Sequence, residues 1–60
     1  MKVDDQIRLK LLGLIRDAEF NLSEAVAALE PDAPEVFKES LVLAASSIDS
    51  AKRLWLEHQR

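Results

Sequence analysis

His58 is the natural starting point for chemistry, because imidazole is the side chain best suited to proton transfer or metal binding near neutral pH. It stands alone. With one His and no Cys in 60 residues, the chain cannot build a multi-histidine or thiolate metal site by itself, and it has no cysteine nucleophile. Glu57 beside His58 offers a second ligand at most, and a His near a helix C-terminus is a favourable surface placement in its own right. Asp4 and Asp5 form an acidic pair that reads as a helix cap. Glu19, Glu24 and Glu39 lack the Glu-x-x-His spacing of a di-metal bundle. Ser46, Ser47 and Ser50 have no neighbouring His or Lys arrangement that would activate a hydroxyl. Gly13, the only glycine, cannot make a phosphate-cradling loop and reads as a mid-helix site that permits close packing. The expectation is a non-enzymatic protein with no cofactor and no metal.

Charge narrows the class further. Eight Lys and Arg against eleven Asp and Glu give a net charge of -3, a weak basis for non-specific nucleic-acid binding. Lys2, Arg8, Lys10 and Arg16 are interrupted by Asp4, Asp5, Asp17, Glu19 and Glu24, as on an ordinary solvated face. Apolar runs are too short for a membrane span, and no apolar segment of a signal peptide follows Met1–Asp5, so the chain reads as cytoplasmic.

These residues are carried by two helices joined at one break, Leu29-Glu30-Pro31-Asp32-Ala33-Pro34-Glu35. Pro31 lacks an N–H and disfavours helical geometry at Glu30. Asp32 is expected to cap the second helix, with Glu35 completing a capping-box-like pair and Pro34 in the first turn. The reading is all-α: a single-domain antiparallel hairpin over residues 1–60, with helix 1 over about residues 4–30 and helix 2 over about 33–58. Asp4–Arg8, Asp49–Arg53 and Arg53–Glu57 are expected ion pairs. Lys52, Arg53, His58 and Arg60 suit the negative end of helix 2.

Helix 1 shows one stripe: Ile7, Leu11, Leu14, Ile15, Ala18, Leu22, Ala25, Val26 and Leu29. Helix 2 shows a wider one: Val36, Phe37, Leu41, Leu43, Ala44, Ile48, Ala51, Leu54 and Trp55. Ser40, Ala44, Ser47 and Ala51 run through its middle, and small residues at that spacing let helix backbones approach closely. Stripes this wide exceed what one facing helix covers. A small chain without disulfide or metal is commonly stabilised by oligomerisation. The expectation is a homodimeric four-helix bundle whose core holds Ile15, Leu22, Leu29, Phe37, Leu41, Ala44, Ile48, Ala51 and Trp55.

Ile15-Arg16, Leu22, Glu24, Leu29, Asp32 and Glu39-Ser40-Leu41, with the turn at the same place between them, give the hairpin a resemblance to the Rop (RNA-one-modulator) family of plasmid copy control. The likeness covers about residues 14–41. It implies a homodimeric antiparallel four-helix bundle, and regulatory RNA binding through polar, basic and aromatic side chains on the first helices. Here Leu14 stands at the aromatic position, Ala18 and Ala25 are its neighbours, Lys10 and Asn21 are polar, and Asp17 adds negative charge.

Leu9, Leu12 and Phe20 fall outside the helix 1 stripe, as Val42 and Leu56 do on helix 2. A contiguous exposed apolar patch marks a binding surface. Leu9, Leu12, Arg16 and Phe20 are therefore the candidate partner-binding residues. The functional expectation is a homodimeric adaptor or inhibitor of another protein, with Rop-like RNA regulation as the alternative.

Overall fold

The computed structural model describes residues 4–59, so Lys2 and Arg60, counted above among the basic residues, lie outside the described residues. Two helices account for nearly all of it: α1, Asp5–Leu29, and α2, Pro34–Glu57. The described residues contain no strand. A helix of 25 residues is about 37 Å long. Two such helices fit an envelope of 44 × 15 × 13 Å only side by side, and the short turn makes them antiparallel.

Helix 1 begins on Asp4, whose carboxylate accepts from the Ile7 N–H at 2.8 Å. That occupies Asp4, and Arg8 donates instead to Asp5, at 2.6 Å. The expected Asp4–Arg8 pair is thus replaced by its neighbour. Arg53 pairs with Asp49 at 3.0 Å, as expected, and Glu57 is not among its ion-pair partners. The last turn of α2 carries no basic residue, so Lys52 and Arg53 stand short of the helix end they were expected to complement.

The turn departs from the expected capping box. Glu30 keeps helical angles, φ -66° and ψ -49°, in spite of Pro31 after it. Asp32 takes the left-handed conformation at φ 57°. The Ala33 N–H then donates to the Ala28 carbonyl at 2.9 Å and the Asp32 N–H to the Leu29 carbonyl at 3.3 Å. This is a Schellman closure of α1, with Asp at the position that Gly usually fills. Asp is among the few side chains that visit this region at modest cost. Asp32 therefore ends α1 rather than starting α2. The N-cap of α2 is Ala33, which has no side-chain acceptor, and Pro34 removes one of the N–H groups that would need one.

A seven-residue repeat joins the helices. On α1, Ile7, Ala18, Ala25 and Ala28 are buried and Leu11, Leu14 and Asn21 half-buried, with spacings alternating four and three. On α2 the same alternation runs through Phe37, Ser40, Ala44, Ser47, Ala51 and Leu54, with Ser40, Ala44 and Ala51 buried. The alternation of four and three is the spacing found along the seam of a two-stranded coiled coil. Its middle is built from Ala and Ser, so the close approach expected along Ser40, Ala44, Ser47 and Ala51 is present within one chain. Asn21 turns its amide back to the Asp17 carbonyl at 3.0 Å. No buried side-chain polar atom among the described residues lacks a hydrogen-bond partner. Gly13 is not part of this packing. It is exposed, and a Cβ added there meets nothing within 4 Å.

A seam of small residues buries little. No large side chain among the described residues is fully buried. The radius of gyration is 13.8 Å, against about 10 Å for a compact domain of this length. The accessible surface is 4935 Å², against about 3,900 Å² for a compact monomer of this mass.

Candidate interaction surface

The large apolar side chains missing from the seam lie beside it, in a second seven-residue repeat. Ile15, Leu22 and Leu29 on α1 each follow a seam residue by one position, and Leu41, Ile48 and Trp55 do so on α2. Ile15, Leu22, Leu41 and Ile48 keep 41–47% of their surface exposed, and Leu29 keeps 61%. Leu12, Glu19 and Val26 on α1 and Lys38, Ala45 and Lys52 on α2 extend these rows outward. At about 100° per residue, each second row is turned about 100° from the first seam. In an antiparallel pair, equivalent flanking positions of the two helices lie on the same side. Both second rows therefore open onto one face of the hairpin.

That geometry is the one a square four-helix arrangement requires, where each helix meets two neighbours about 90° apart. The first seam is satisfied by the chain's own partner helix and the second is not. A shallow open hollow on α1, lined by Glu19, Leu22, Ser23 and Val26, lies along this second row.

The expected dimer-core residues divide accordingly. Ala44 and Ala51 are buried by α1 of the same chain and need no second copy to cover them. Phe37 is half-buried in the same seam. Ile15, Leu22, Leu29, Leu41 and Ile48 share the open face, and Trp55 is half-buried at its edge. One apolar stripe on α1 was thus two, and the alternation starting at Ile7 picks out the inner one, including Asn21 and Ala28.

Of the candidate partner-binding residues, Leu9, Leu12, Arg16 and Phe20 are all exposed. Their spacings of three, four and four place them along one outer side of α1, with Leu12 bordering the second row and Leu9 and Phe20 eleven residues, about 16 Å, apart along the helix. Val42 and Leu56 on α2 are also exposed and two helical repeats apart. Of the positions named with the Rop resemblance, Leu14 and Asn21 are half-buried and Ala18 and Ala25 buried in the seam against α2, and Lys10 and Asp17 are exposed.

His58 is exposed at the end of α2, where its backbone N–H donates to the Trp55 carbonyl at 3.2 Å. Among the described residues no group of three or more His, Asp or Glu is placed to hold a metal ion. None of the described helices is long and apolar enough to cross a membrane. Compared with known protein families, curated proteins and solved structures, the chain matches none.

Proposed function

We propose that the chain is a non-enzymatic protein-interaction module that acts as a homodimeric four-helix bundle, serving as an adaptor or inhibitor of another protein. The observation that carries this reading is the uncovered row of Ile15, Leu22, Leu29, Leu41 and Ile48 beside a seam that is already closed. Five large aliphatic side chains in register on one face are costly to leave in water and form a contiguous apolar patch of the kind that marks a binding surface. The surface excess supports the same reading. It amounts to about 1,000 Å² over a compact monomer, close to the roughly 800 Å² that each partner contributes to a standard interface. After such assembly Leu9, Phe20, Val42 and Leu56 remain outside, available to a further partner.

The test has two parts. Sedimentation equilibrium at micromolar concentration is expected to give twice the 6.7 kDa chain mass, and a helical monomer contradicts the reading. Affinity capture from the native host is expected to retain a protein partner after nuclease treatment. Capture that disappears with nuclease and falls steeply with salt would support RNA regulation instead.

A further inference from the structure

The charges flanking the open face bear on how two copies meet. A two-fold axis can lie in the interface in two directions. Along the helices, it puts both turns at one end and sets α1 of one protomer against α2 of its partner. Across the helices, it puts the turns at opposite ends and sets α1 against α1 and α2 against α2. Both arrangements are antiparallel between neighbours, and both stack the apolar rows in full register. In the first, Ile15 is level with Ile48 and Leu22 with Leu41; in the second, Ile15 is level with Leu22 and Leu41 with Ile48.

The outer positions separate them. Turns at opposite ends bring Lys38 level with Lys52 twice over and place Glu19 against its own copy at the axis. Sliding the hairpins by one repeat relieves these like-charged pairs only by giving up a layer of apolar contact. Turns at the same end set Lys38 over Val26, Lys52 over Leu12 and Glu19 over Ala45, with Arg8 level with Trp55. There the lysine stems cover apolar surface while their ammonium groups reach water. No like charges face each other along the rows.

Resting on the homodimer reading above, we infer that the open face is occupied by a second copy with its turn at the same end, α1 against the partner's α2. The axis then runs parallel to the helices, and the second rows of both copies, carrying Ile15, Leu22, Leu41 and Ile48, close a common core.

The native chain has no cysteine, so single spin labels can be placed cleanly. Glu30 and Glu57 are exposed and lie at opposite ends of the hairpin. In the full-length dimer, labels at Glu30→Cys in both copies are expected to give one short distance, on the order of 20–25 Å, from a bundle two helices wide. Mixing Glu30→Cys with Glu57→Cys chains should give a cross-distance near the helix length, about 40 Å. The reverse pattern, long for the like pair and short for the mixed pair, overturns the same-end arrangement and leaves the homodimer standing. Absence of any inter-chain distance, with a monomer mass, overturns both. Lys38→Glu supplies a second reading. It converts both Lys38–Lys52 repulsions of the opposite-end arrangement into attractions, so the Glu30 distance should lengthen in that variant. An unchanged short distance in Lys38→Glu would show that the lysines do not set the orientation.

Discussion

Leu22→Ala and Ile48→Ala test whether the second row is buried by assembly. Full burial of a Leu or Ile side chain contributes about 1.5–3 kcal/mol. Leu22 is 43% and Ile48 47% exposed in the hairpin, so a little under half of that remains to be gained on association. Each substitution occurs twice in a dimer, and Ala keeps its Cβ. The expected loss is about 1–2 kcal/mol per site, or about 5- to 30-fold in dimer affinity. The hairpin already covers a little over half of each side chain, so it also loses some stability, offset in part because Ala is the better helix former and neither side chain lies in the first seam. Sedimentation equilibrium over a concentration series gives the dissociation constant, and circular dichroism at the same concentrations gives the helix content. A higher dissociation constant, with helix content falling in step with dimer content, is the expected result. An unchanged dissociation constant in the double variant would show that this row stays in water and that the dimer uses another surface.

Three other substitutions probe separate parts of the structure. Gly13→Ala should raise stability by about 0.5–1 kcal/mol, because the glycine is exposed, not left-handed, and has open space at its Cβ; a fall in denaturant midpoint would mean that something outside the hairpin approaches it. Ala44→Leu should cost about 1–3 kcal/mol by overpacking the seam, read as a lower melting temperature, and an unchanged melt would place Ala44 away from α1. Phe20→Ala should leave stability within about 0.5 kcal/mol while weakening capture of a protein partner by about 2 kcal/mol or more; a loss of about 3–5 kcal/mol in stability would instead put Phe20 in the assembled core.

The helices were legible because their signals are local. Spacings of three and four, an Asp before the first apolar residue and a Pro-rich break define α1, α2 and their order. The turn was less legible. Asp32 satisfies the sequence rule for an N-cap equally well, and the choice went to closing α1 because the Ala33 N–H reaches the Ala28 carbonyl only if Asp32 is left-handed. The division of the apolar stripe was hidden for a related reason. Ile15 is one position from Leu14 and Leu22 one from Asn21, so by residue type the larger aliphatics look like the core. Small residues occupy the middle of the inner seam and Ile15, Leu22, Leu41 and Ile48 lie outside it, while Ile7, Leu11, Leu14, Phe37 and Leu54 remain in the seam beyond that stretch. Gly13 was misplaced by the same logic, since smallness alone does not tell a contact from open surface.

The most direct test of self-association is the melting temperature as a function of protein concentration. For two 60-residue chains the unfolding entropy is about 0.25 kcal/mol per kelvin, and a tenfold change in concentration shifts dimer stability by about 1.4 kcal/mol. The melting temperature should therefore rise by about 5 °C per tenfold increase in concentration, with the transition remaining a single cooperative step. The same melting temperature across a hundredfold range would mean that the folded species is a lone hairpin with its apolar row in water.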